Sequence, residues 1–203
     1  MSYPNVCQDT GRRFFIILIS LVSLVKKTTL YAERDEKKRK EFLAAISQYD
    51  AADLVYLDES GIDKFLSRDY ARSPRGEQVI CDIKGKKYQR VSMIAAQVGK
   101  AILAPMVFEG TTDSKLFNHW LEECLVPELK PNQVIIMDNY CIHKTAKTKE
   151  IIEMAGCEIL FLPPYSPDFN PIENTWANIK ARIRKIKNSC DDFYKAIDLA
   201  FVT

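Results

Sequence analysis

The sequence predicts an α/β domain, a mixed β-sheet covered by helices. Three observations predict it. Strand-like runs joined by tight turns come first, and helix and strand alternate afterwards, so the sheet begins antiparallel and continues through crossovers. The runs 54–57 and 133–137 are apolar without a break, as expected of central strands buried on both faces. Pro105 lies inside another run and demotes it to an edge strand, because proline cannot donate to the ladder.

Residues 32–50 are rich in helix formers, and Phe42, Leu43, Ile46 and Tyr49 recur at helical spacing. This predicts a helix with a heavily charged, solvated outer face. Leu54–Leu57 reads as a strand that ends in Asp58 and turns at Glu59-Ser60-Gly61. Residues 64–76 read as loop. Gln78–Ile83, Tyr88–Gln97 and Ala101–Phe108 form an antiparallel meander, with turns at 84–87 and 98–100. Residues 113–125 carry Leu116, Phe117, Trp120, Leu121 and Cys124, an amphipathic helix. Gln133–Met137 is a strand ending in Asp138. A polar helix over 145–155 stops at Gly156, and Glu158–Leu162 is the next strand. The run Pro163-Pro164-Tyr165-Ser166-Pro167 can neither continue a sheet nor start a helix. Helices over 171–187 and 191–201 close the chain.

At 203 residues the chain holds one domain by the rough measure of ~150 residues each. It needs no disulfide or metal to fold, since a chain of this size buries roughly 70% of its unfolded surface. A composition with 47% hydrophobic and 28% charged residues excludes global disorder. The net charge of +2 makes any basic surface a local one. Six scattered cysteines without a CxxC pair, and only two histidines, argue against zinc and for reduced, intracellular thiols. Arg12 and Arg13 precede the apolar run Phe14–Val25, which is too short to span a bilayer as a helix and lacks a cleavage site. No membrane partner is expected.

Three acids stand out by position. Asp58 and Asp138 each end a central-looking strand, so parallel neighbours would bring both carboxylates to one edge of the sheet, where ligand sites of α/β folds lie. Each also fits an Asx turn, and Glu59 and Asp63 compete for any role given to Asp58. Glu173 follows Asn170-Pro171, a helix start with asparagine as N-cap and the glutamate as a capping-box residue. Ile172, Trp176, Ile179, Ile183 and Ile186 form one apolar stripe. Glu173, Lys180, Arg184 and Lys187 form a second, roughly 100° around the helix. A line of cations beside an acidic cluster suits a phosphate backbone leading to a metal site; a solvated basic flank is the plainer alternative. Carboxylates suit Mg²⁺ or Mn²⁺. Two such ions about 3.5–4 Å apart clamp the attacking and leaving oxygens of an in-line phosphoryl displacement.

Three segments together, LVYLDESG at 54–61, VIIMDNYCIH at 134–143 and LPPYSPDFNPIENTWANIK at 162–180, resemble the mariner superfamily of DDE transposases, in its bacterial insertion-sequence branch. The 34 residues between Asp138 and Glu173 match that superfamily's aspartate–glutamate spacing. The third segment is the most specific, and the likeness covers about residues 27–203. The resemblance implies a ribonuclease H-like fold with strand order 3-2-1-4-5. It implies that Asp58, Asp138 and Glu173 bind two Mg²⁺ ions, with Mn²⁺ as a substitute, and that Asn139 and His143 support those acids or touch DNA. Lys180, Arg184 and Lys187, read from the second stripe of the helix, are the expected DNA contacts or supports of the site. The expected activity is cutting double-stranded DNA at transposon ends and joining the freed 3′-hydroxyls to target DNA, in a homodimer, in the bacterial cytoplasm near the nucleoid.

Relatives of this kind carry helix-turn-helix modules N-terminal to the catalytic region, and residues 1–25 resemble neither module. The expected organisation is an atypical segment over 1–25, a charged lead-in helix within 26–50 and the catalytic domain over 51–203. A truncated or frameshifted copy is the simplest account. The second functional expectation follows: a non-enzymatic remnant that binds DNA or a full-length transposase without completing transposition. A third is a different ribonuclease H-like nuclease, against which the proline-rich segment argues.

Overall fold

Alternation of side chains along two central strands decides the architecture. In the computed structural model, which describes residues 33–64, 76, 80 and 90–201, β1 (Leu54–Asp63) lies at the centre of a five-stranded sheet. It pairs antiparallel with β2 (Arg90–Val98), which pairs antiparallel with β3 (Ala101–Glu109). On its other side β1 runs parallel to β4 (Val134–Met137), and β4 parallel to β5 (Glu158–Phe161). The order is thus β3-β2-β1-β4-β5, as the resemblance implies.

Residues facing one side, Val55, Leu57, Ile94, Ala96, Ile135 and Met137, pack under α2 (Ser114–Trp120) and α3 (Ala146–Met154). Phe117, Trp120 and Ile152 are fully buried there. α2 continues into a π-helical turn, Leu121–Leu125, so the amphipathic stretch read from sequence is a single apolar face wound two ways. The opposite side takes α1 (Glu36–Ile46), α4 (Ile172–Ile186) and α5 (Phe193–Phe201). The α4 stripe Ile172, Trp176, Ile179 and Ile183 is buried as expected. At about 1.5–3 kcal/mol per large apolar side chain, this stripe is what fastens α4 to the sheet.

Several expectations change in detail. The strand 78–83 apart from Ile80, residues 1–32 and most of the loop 64–76 fall outside the described residues. β1 does not turn at Glu59-Ser60-Gly61 but runs on to Asp63, because Glu59 to Asp63 find antiparallel partners in Ile94 to Arg90. The lead-in helix buries Phe42, whereas Leu43 and Tyr49 are exposed and Tyr49 Oη instead donates to Glu158. Pro105 does sit on the edge strand. There Ala104 takes φ +46° at a break in register opposite Ala95, and its peptide is bonded to the side chains of Glu128 and Trp120. The four described cysteines that carry a bonding state are free thiols. Among the described residues no helix is long and apolar enough to cross a membrane.

Candidate functional site

Parallel pairing between β1 and β4 ends at Tyr56–Ile136, and the two aspartates lie two residues beyond this last pair. Asp58 remains on β1, paired with Ala95 of β2 on its other side. Asp138 directly follows the last residue of β4. Both acids therefore stand at the carboxyl edge of the parallel half of the sheet, where the splaying of paired strands opens a crevice.

Strand alternation sends the neighbours Asp58 and Glu59 to opposite sides. Asp58 faces α4, whose first turn carries Glu173. Burial first, then the charges of Glu173, Glu59 and Asp138, push the Asp58 carboxyl up to about 8. Asp58 therefore feels both of the other expected acids at this end of the sheet.

Glu59 faces the other side and accepts His143 Nε2 at 2.9 Å. The second ring nitrogen, Nδ1, lies 2.7 Å from Asp138 Oδ1, a charge contact whose angle falls short of a hydrogen bond. His143 is buried and stacks on Phe117 with ring centroids 4.4 Å apart. Burial alone would lower its pKa, but Asp138 and Glu59 outweigh it and hold the ring at about 9. The imidazolium thus bridges the two acids. Burial also works to raise Asp138, yet His143 and the Tyr140 N–H, 3.0 Å from the same Oδ1, keep its carboxyl below the ordinary range.

The helix start before Glu173 is not the asparagine cap expected from sequence. Asn170 turns its side chain inward and donates Nδ2–H to the Leu57 carbonyl at 3.3 Å, so it ties the helix to the strand residue beside Asp58. Only its backbone carbonyl meets Glu173 N–H. Thr175 Oγ1 adds a second tie, to Gln97 Oε1 of β2 at 2.7 Å. Asn139 donates its side-chain amide to the Leu162 carbonyl, joining the loops after β4 and β5.

Lys180 is half-buried, and its pKa is lowered by that burial despite attraction from Glu173 and Asp58, with Arg90 and Arg184 adding repulsion. It therefore sits within reach of the acids as well as of two further cations. Arg184 is exposed, and Lys187 lies in the single turn that follows α4. Arg90 is a member of this group that helical periodicity could not reveal, since it comes from β2.

The acids fit a hard divalent cation by their chemistry. They offer oxygen donors only, and burial first, with the neighbouring carboxylates adding to it, keeps a proton on Asp58 up to about pH 8. Among the described residues no three His, Cys, Asp or Glu side chains are closed up into a ready cage. Like-charged carboxylates repel, so such closure needs a cation between them.

The family profile described as DDE superfamily endonuclease matches residues 53–195, well over half of the chain, and the protein belongs to that family. Among solved structures it is similar to the Mos1 transposase paired-end complex with left transposon end, at a TM-score of 0.60 and 12% identity over 94% of this chain and 67% of that one. The Mos1 strand transfer complex gives a TM-score of 0.61 at 13% identity, over 92% of this chain and 66% of that one. The catalytic core domain of BIV integrase follows at 0.50 and 13% identity, over 74% of this chain and 82% of that one. This chain thus spans about two thirds of the Mos1 chains. No curated protein matches it. It is a DDE nuclease domain with the fold of transposase and integrase catalytic cores.

Proposed function

We propose that this chain is the catalytic domain of a transposase, which cuts double-stranded DNA at transposon ends and transfers the freed 3′-hydroxyl to target DNA. The observation that carries the reading is the convergence of Asp58, Asp138 and Glu173, from β1, the end of β4 and the first turn of α4, on one edge of the sheet. Those three carboxylates would hold Mg²⁺, or Mn²⁺ in its place, as a pair of ions. Bound there, the ions would supply activation of the attacking oxygen and neutralisation of the leaving one.

The chain's own residues have distinct tasks in this scheme. His143 and the Tyr140 N–H both engage Asp138 Oδ1 and so orient the carboxylate. Asn170 holds the Glu173 end of α4 against the Asp58 segment of β1. Lys180 and Arg184 would receive backbone phosphates along α4 and align the scissile one with the acids. The active assembly would be a homodimer, since two ends must be joined.

Nicking of supercoiled plasmid tests the proposal, with Mg²⁺ and with Mn²⁺, for wild type beside Asp58→Ala, Asp138→Ala and Glu173→Ala. The expected result is metal-dependent nicking by wild type and at least about a hundredfold loss in each variant, with melting still cooperative. Full activity in Asp138→Ala would overturn the site. A cooperatively folded wild type that fails to nick with either metal would favour the non-enzymatic remnant.

A further inference from the structure

A cleft of about 240 Å³ opens on the His143 side of β1, beyond Glu59. It is lined by Ser60, Gly61, Arg90, Thr111, Thr112 and Tyr140, among others. Its chemistry is unlike that of a packing defect. Arg90 lies over Gly61 so closely that an added Cβ there would stand 2.2 Å from Nε. The missing side chain is therefore what seats the guanidinium against the strand. Arg90 forms no ion pair among the described residues, and the hydroxyls of Ser60, Ser92, Thr111 and Thr112 belong to residues lining the same cleft.

Tyr140 lines the same cleft. Its ring is 56% exposed although its backbone is fixed at both ends, by N–H to Asp138 Oδ1 and by the carbonyl to His143 N–H at 3.1 Å. The ring meets His143 edge-on, at 6.0 Å and 83°, which leaves a face open to solvent. An exposed aromatic face and a guanidinium without an ion pair among the described residues, lining one cleft, are the chemistry that takes a base and its phosphate together.

We infer that this cleft is a subsite for one unpaired nucleotide of the DNA strand, with its phosphate on Arg90 and its base stacked on Tyr140. The inference rests on the DNA-cutting function proposed above and adds a place for the strand beside Glu59, next to the Arg90 guanidinium that also acts on Lys180. Duplex DNA stacks its bases internally, so only a frayed or overhanging end can occupy the cleft.

Fluorescence anisotropy in EDTA, where no cutting occurs, tests it with two probes: a blunt 20-bp duplex and the same duplex with a three-nucleotide 3′ overhang. Wild type binds the overhang probe more tightly. Tyr140→Ala loses about tenfold on that probe and little on the blunt one, while Tyr140→Phe, which keeps the ring, retains the preference. Arg90→Ala lowers the slope of log affinity against log salt by about 1 on the overhang probe, and Gly61→Ala reproduces it by displacing the guanidinium. If wild type nicks plasmid yet Tyr140→Ala and Arg90→Ala bind the overhang as wild type does, the subsite is wrong and the nuclease reading stands. If wild type neither binds these probes nor nicks, both fall.

Discussion

Arg39 of the lead-in helix grips Asp168, in the proline-rich segment before Glu173, through two N–H···O contacts of 2.7 and 3.0 Å. The same guanidinium donates to Ser166 Oγ at 2.8 Å and lies 3.9 Å above the Phe169 ring, which stacks on Phe42. Arg39 is thus the point where a charged helix that looked solvated from its composition is bound to the segment that carries an acid of the site. Its side chain is only 12% exposed. Arg39→Ala is expected to cost about 1–2 kcal/mol, as the partner's 40% exposure weakens the charge contribution. Arg39→Lys should restore little, because an ammonium cannot reproduce the fork. Urea unfolding checks both.

The same pair has a pH signature. Its hydrogen bond to Arg39 holds the Asp168 carboxyl below the usual range, so the pair contributes stability above the ordinary aspartate value near 3.9 and loses it as pH falls through the lower folded value. The stability gap between wild type and Asp168→Asn should narrow towards zero on acidification below about pH 4, followed by melting temperature.

Asp58 has the opposite sign. Its folded pKa of about 8 means that native protein keeps a proton which the unfolded chain has already released, from about pH 4 upward. Metal-free protein should therefore lose stability as pH rises from about 4 to 8. Asp58→Asn should flatten that slope and raise the melting temperature in EDTA at neutral pH. Mg²⁺ should raise the melting temperature of wild type and leave the variant nearly unchanged.

Lys180→Ala and Arg184→Ala should each weaken DNA binding and reduce the salt slope by about 1. The measurement is affinity for a fixed duplex across a salt series. Unchanged slopes in both would move the phosphate track off α4.

Gly156 closes α3 at φ +70°, and a Cβ there would touch only Pro131 at an ordinary 3.7 Å. The backbone rather than crowding sets the cost of Gly156→Ala, expected at about 1 kcal/mol by urea unfolding.

Periodicity made the sheet and its covering helices legible. The apolar runs expected at 54–57 and 133–137 do supply central strands, the second starting at Val134, and the isoleucine stripe of α4 faces the core. The second half of β1 was not legible, because Ser60-Gly61 carries turn signals that antiparallel partners on β2 overrule. The cap expected from Asn170 misled for a related reason: its amide is spent on the Leu57 carbonyl across the core, a bond that sequence cannot display. His143 was visible as a residue of the second segment, but its bridge from Asp138 to Glu59 depends on strand alternation sending Glu59 away from Asp58. Arg39 and Arg90 went unseen as members of the site's surroundings, since both act across elements far apart in the chain.

The parallel pairing of β1 with β4 also fixes when the acids can meet. Leu54 to Tyr56 join Val134 to Ile136 only after β2, β3 and α2 have been laid down between them. Closing so long a loop before it is rewarded by contacts is slow, whereas the β1–β3 meander is comparatively local. During synthesis the meander can form while β4 is still unmade, and Glu173 emerges later still. The acid cluster is therefore a late product of folding, present only once nearly the whole domain has left the ribosome.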